Sequence, residues 1–114
     1  MVVGNAILIG WTGIVPGREK RALEHFMEFH TWLEELKGQK TITGYTDVIL
    51  TPNANTVGFI LITGEPAKLA ELHRSDKWTE HTLRASLNNL GQWVQTGTTG
   101  EGVPGLIQAW AKYI

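Results

Sequence analysis

Val57-Gly58-Phe59-Ile60-Leu61-Ile62-Thr63-Gly64 decides how the chain is read. It is eight residues without a charge, set between the turn-formers Pro52-Asn53-Ala54-Asn55 and Glu65-Pro66. A half-exposed strand alternates apolar and polar residues, and this one does not, so it reads as a strand buried on both faces. Two covers are then required. The chain supplies helices for one side only, so the expectation is that a second protomer supplies the other.

Ala6-Ile7-Leu8-Ile9-Gly10-Trp11 is a second uncharged run, stopped at Pro16-Gly17, and is its natural neighbour. Ile7, Ile9 and Trp11 share one face, while the small Gly10 on the other leaves room for something large, a packed helix being the plain choice. From Arg18 to Lys37 the period is helical, with Ala22, Phe26, Phe29, Leu33 and Leu36 in a stripe and Gly38 as the stop. His25 and Trp32 fall on one flank of that stripe and His30 on the other. Residues 42 to 51 are rich in β-branched and aromatic types and suit an edge strand, with Tyr45, Asp47 and Ile49 on one face. A loop from Thr51 to Thr56 returns it as a hairpin.

Pro66 opens a helix carrying Leu69 and Leu72. One straight helix to residue 90 would carry Asp76 and Thr79 through its core seam, so a break is predicted, with Ser75 or Asp76 capping a second helix from about 76 to 90. On it the expected core stripe is Leu83, Leu87 and Leu90. Trp78 and Ala85, with His81, Asn88 and Asn89 nearby, then lie roughly opposite, facing a partner or closing a pocket. Residues 91 to 96 make a short edge strand. Gly97 to Gly102 has the glycines of a phosphate loop without its Lys or preceding strand, and reads as a connection. The terminal helix from Val103 is apolar along Leu106, Ile107, Trp110, Tyr113 and Ile114, so it must dock on its own domain or on a neighbour.

The 114 residues read as one domain, 1–114, with a core at 6–96 and a C-terminal extension at 97–114. Lys and Arg number 10 against 11 Asp and Glu, leaving no basic excess for a nucleic-acid backbone. No apolar run approaches the roughly 20 residues that cross a bilayer, and the opening residues lack a basic leader, so neither membrane nor export is expected. Cysteine is absent, which excludes disulfides and thiolate chemistry and fits a reducing, cytoplasmic setting. The histidines lack metal-ligand spacing and no Ser stands in a nucleophile elbow. Acid–base chemistry without a metal or cofactor is what remains, in a site lined by some of the five Trp residues.

Strand, helix, strand, strand, helix, strand is the βαββαβ order of an α+β, ferredoxin-like sandwich: an antiparallel sheet with both helices on one face, here with a broken second helix and an extra terminal helix. The bare face predicts a homodimer joined through the sheet. With that order, the break at Leu72-His73-Arg74-Ser75-Asp76-Lys77-Trp78 and the strand Gly58-Phe59-Ile60-Leu61-Ile62, residues 6 to about 96 resemble the dimeric α+β barrel superfamily. That superfamily includes antibiotic-biosynthesis monooxygenases, muconolactone isomerases and haem-degrading oxygenases. The resemblance implies a homodimer binding a small aromatic or polyketide-like compound, as a cofactor-independent oxygenase or isomerase or as a noncatalytic binder.

The candidate proton-transfer residues are His81 and His30, and the candidate binding residues are Trp11, Tyr45 and Trp78. Aromatic packing and aromatic recognition use the same residue types, so a purely structural use of these side chains stays open. Haem-degrading relatives are similar in pairing a first-strand Asn with a Trp and a haem-ligating His on the second helix. Asn5, Trp78 and His81 supply those types, but three residues between Trp and His is far shorter than that family's interval, where this chain has Asn88.

Overall fold

The computed structural model describes residues 4–114. Strands β1 (Ala6–Trp11), β3 (Gly44–Ile49), β4 (Gly58–Thr63) and β6 (Trp93–Gly97) form one antiparallel sheet in the order β3-β4-β1-β6. The two uncharged runs are its centre, paired from Ala6 opposite Thr63 to Trp11 opposite Gly58. Helices α1 (Glu19–Gly38), α2 (Pro66–Arg74) and α3 (Asp76–Asn88) follow in chain order. The architecture is α+β and ferredoxin-like. Two further strands, β2 (Gly13–Ile14) and β5 (Asn89–Leu90), form a separate two-residue ladder that joins the end of β1 to the end of α3. Two residues are too few to carry an alternation, so nothing in the sequence pattern announces them.

Register sorts the sheet into two sides. Ile7, Ile9, Trp11, Ile60 and Ile62 are buried on the side that meets Phe29, Leu33, Leu36, Leu69 and Leu72 from the helices. On the other side Leu8, Val48, Phe59 and Leu61 are only half buried and Trp93 is exposed. Strand 57–64 is thus closed on one face and open on the other within this chain. Gly10 is filled neither by a helix nor by open space. Trp93, opposite it on β6, lays its indole where a Cβ at residue 10 would stand.

The break between α2 and α3 falls at Ser75, whose extended backbone (φ −73°, ψ 151°) ends one helix and starts the next. Its Oγ accepts from the backbone N–H of Trp78 at 3.2 Å, so the cap fixes where α3 begins and hence which way it faces. The facing is the reverse of the sequence expectation. Trp78, His81 and Asn88 are buried, whereas Leu83 and Leu87 are 61% and 64% exposed and Leu90 is also exposed. The leucine periodicity was the stronger signal, but the bulkier aromatic side closes the core against α1.

After β6 a single 3-10 turn at Gly100–Gly102 leads to α4 (Val103–Ala111). No residue of α4 is buried. Among the described residues no helix is long and apolar enough to cross a membrane.

Candidate functional site

Between α1, α3 and the closed side of the sheet lies a cavity of about 180 Å³, walled chiefly by Ile9, Trp11, Phe29, Ile60, Trp78 and Val94. The exposed Glu19 and Leu23 line it near the start of α1, with Asn89 and Gln92 across from them. Into this apolar wall α1 and α3 each contribute one histidine. His25 and His81 are 7% and 4% exposed, and His25 Nε2 stands 2.9 Å from His81 Nδ1. The rings are within 10° of parallel with centroids 5.2 Å apart. That separation, with the nitrogens in contact, sets them edge to edge rather than face to face.

The sequence places each ring by a short chain of causes. His25 and Trp32 are seven residues apart, two turns along one flank of α1, and both are buried. Trp32 stacks on His81 at 4.8 Å with an 18° interplanar angle, and Phe29 meets the same ring edge-on at 5.4 Å. His81 is three residues beyond Trp78, so the Ser75 cap that turns Trp78 inward turns His81 with it.

Burial lowers the pKa of both histidines, and the neighbouring Arg84 guanidinium lowers them further. Arg84 is itself held by two hydrogen bonds to the Glu28 carboxylate, 2.9 and 2.6 Å long, and these bonds keep Glu28 down at about 2. The pair is therefore neutral at neutral pH. One ring donates and the other accepts across the 2.9 Å contact, which leaves one of the two remaining ring nitrogens an N–H and the other a bare lone pair. When a proton arrives at the bare outer nitrogen, the shared proton passes to the other ring and that ring's outer N–H proton is given up, so the roles are exchanged and both rings end neutral. The arrangement can take a proton at one end and release one at the other.

Of the residues singled out from sequence, Trp11, Trp78 and His81 line the cavity together. His30 and Tyr45 do not. His30 lies on the opposite flank of α1, where Nδ1 donates to the Phe26 carbonyl at 2.7 Å and Nε2 meets both Asp47 carboxylate oxygens at 2.9 and 2.8 Å. Tyr45 packs beside it, with ring centroids 5.6 Å apart. Together they fasten α1 to β3. The sequence marks His25 only as a flank residue; pairing it with His81 requires knowing that α1 and α3 run side by side with Trp78 turned inward.

A porphyrin does not fit here. The cavity, at about 180 Å³, is too small for a macrocycle. Asn5 sits at the far end of β1, where its side chain grips Thr99. Among the described residues no group of three or more His, Cys, Asp or Glu is gathered as a metal site.

No protein-family model matches the chain, and no curated protein matches it. Among solved structures, a Chloroflexus aurantiacus protein provisionally assigned as an antibiotic biosynthesis monooxygenase superposes with a TM-score of 0.50 at 11% identity, over 86% of this chain and 97% of that one. The 5-chloro-2-hydroxyhydroquinone dehydrochlorinase of Burkholderia phenoliruptrix superposes with a TM-score of 0.46 at 16% identity, over 84% and 96%. The likeness is one of fold: this chain shares its α+β, ferredoxin-like architecture with the Chloroflexus aurantiacus protein.

Proposed function

We propose that the protein is an acid–base enzyme for a small, flat, largely apolar compound, an isomerase or a cofactor-independent oxygenase, with His25 and His81 as its proton-transfer pair. The observation that carries this reading is the buried, hydrogen-bonded histidine pair in the wall of a largely apolar cavity. A neutral imidazole in a dry setting is a competent base for an acidic C–H or a phenolic O–H, and its partner offers a route for the proton. Trp11 and Trp78 hold the compound against that wall. His30 serves by tying α1 to the sheet, so that His25 keeps its position. The working form is a homodimer, because the half-buried face at Leu8, Val48, Phe59 and Leu61 needs a cover and a second copy brings an identical one.

Native mass spectrometry of the protein from a bacterial host reads subunit number and retained compound together. A panel of phenols, hydroquinones and polycyclic ketones, incubated aerobically, then identifies turnover. His25→Gln and His81→Gln should each lower kcat/KM by about 10²–10⁴-fold while circular dichroism stays unchanged. Full turnover in both variants would refute the assignment. Retention of a compound that is never converted would make the cavity a binding site without chemistry.

A further inference from the structure

We propose that α4 is an exchanged arm: in the dimer, the terminal helix of each copy lies along the rim of the other copy's open sheet face. The inference rests on the dimer reading above and adds to it a second element of the joint.

From Val103 to Ala111 the helix has no charged residue, and Ile107 and Trp110 are 50% and 57% exposed, with Tyr113 and Ile114 exposed beyond them. So apolar a helix is not stable alone in water at nine residues. Its own chain does not cover it. The Cα radius of gyration is 15.4 Å, against about 13 Å for a compact chain of this length. The direction of departure is set by Asn5, whose Nδ2 donates to Thr99 O at 3.0 Å while its Oδ1 accepts from Thr99 N at 2.9 Å. Gly102 is packed so closely on Thr98 and Asn5 that a Cβ there would stand 2.9 Å from the Thr98 methyl. The turn before α4 is thereby clamped, and the helix is carried away from the sheet it follows.

The surface that lacks a cover is of the same character. The open face presents Leu8, Thr46, Val48, Phe59, Leu61, Trp93 and Gln95, none of them charged. Four strands spaced about 4.8 Å apart and rising about 3.3 Å per residue give a flat area on the order of 400 Å². A stable dimer buries about 800 Å² per partner. Sheet against sheet alone is a small joint on this count, and an uncharged arm from each copy enlarges it. Twofold symmetry gives two equivalent arms, one along each side of the paired sheets.

The chain has no cysteine, so introduced thiols report cleanly. Two preparations are mixed and oxidised, one carrying Trp110→Cys on the arm and the other Val48→Cys or Gln95→Cys on an edge strand. The expected product is a disulfide-linked pair containing one chain of each kind. No mixed product with either edge position overturns the arm, as does a chain carrying both thiols that closes on itself as a monomer. In parallel, Ile107→Glu with Trp110→Glu alters only exposed positions and should raise the dimer dissociation constant at least tenfold in sedimentation equilibrium. An unchanged constant removes the arm and leaves the dimer standing. A wild-type monomer at micromolar concentration removes both.

Discussion

Lowering the pH from 7.5 to 5.5 should destabilise the protein through His25 and His81, by an amount that can be bounded. Both have folded pKa values below the ordinary 6.5, chiefly because they are buried. The unfolded chain therefore takes up protons first as pH falls, and stability that is complete above pH 6.5 is lost below it. If the folded pair stays neutral over that range, each histidine costs about 1.4 kcal/mol, and the two together at most about 2.7 kcal/mol. A proton on one ring opposes a second on its partner 2.9 Å away, so the folded pair takes up its second proton less readily than its first.

The assay is urea unfolding at fixed ionic strength and protein concentration, comparing wild type with His25→Gln, His81→Gln in one chain. The other titrating groups are common to both, so the difference between the two pH profiles isolates the pair. Glu28 does not interfere, because its carboxylate, held at about 2, loses its contribution only as pH falls from 4.5 toward that value. Parallel profiles from pH 7.5 to 5.5 would refute the account, as would a wild type that gains stability on acidification relative to the variant.

Three further outcomes test the packing. Gly10→Ala places a methyl where the Trp93 indole lies, so it should cost about 1–3 kcal/mol and shift tryptophan emission, with Trp93→Ala relieving the cost. Ser75→Ala removes the hydroxyl that accepts from Trp78 N–H and should cost about 1 kcal/mol in thermal unfolding. Leu87→Ala, at 64% exposure, should change stability by less than about 0.5 kcal/mol, whereas Leu69→Ala, at 2%, should cost about 2–5 kcal/mol. A large loss from Leu87→Ala in a monomeric sample would mean that α3 faces the other way.

The sheet was legible because its two central strands are long uncharged runs, and such runs have few places to go in a chain of this size. The break at Ser75 was legible too, since Asp76 and Thr79 would otherwise have stood in an apolar seam. The facing of α3 was not. Leu83 and Leu87 repeat at helical spacing as well as Trp78, His81 and Asn88 do, and periodicity alone does not say which of two stripes is inward. That ambiguity carried into the site: Trp11, Trp78 and His81 were named, but His25 becomes visible only when α3 turns its aromatic side to α1. His30 was singled out on the same pattern, yet its Phe26 and Asp47 contacts hold both ring nitrogens outside the cavity. Gly10 marked a close approach correctly, while the identity of the approaching group depended on the register of β6.

The strand order has a consequence for synthesis. β1 is made first, yet both its neighbours, β4 and β6, come from much later in the chain. At about 5–20 residues per second, roughly 4–17 seconds separate the emergence of Trp11 from that of Gly97. Until β4 emerges both hydrogen-bonding edges of Ala6-Ile7-Leu8-Ile9-Gly10-Trp11 are open, and until β6 emerges one of them still is, while the β3–β4 hairpin, whose contacts are local, has time to form. The segment that ends as the best-protected strand of the sheet is therefore the one most exposed to chaperones, and to other nascent copies of itself, while the protein is being made.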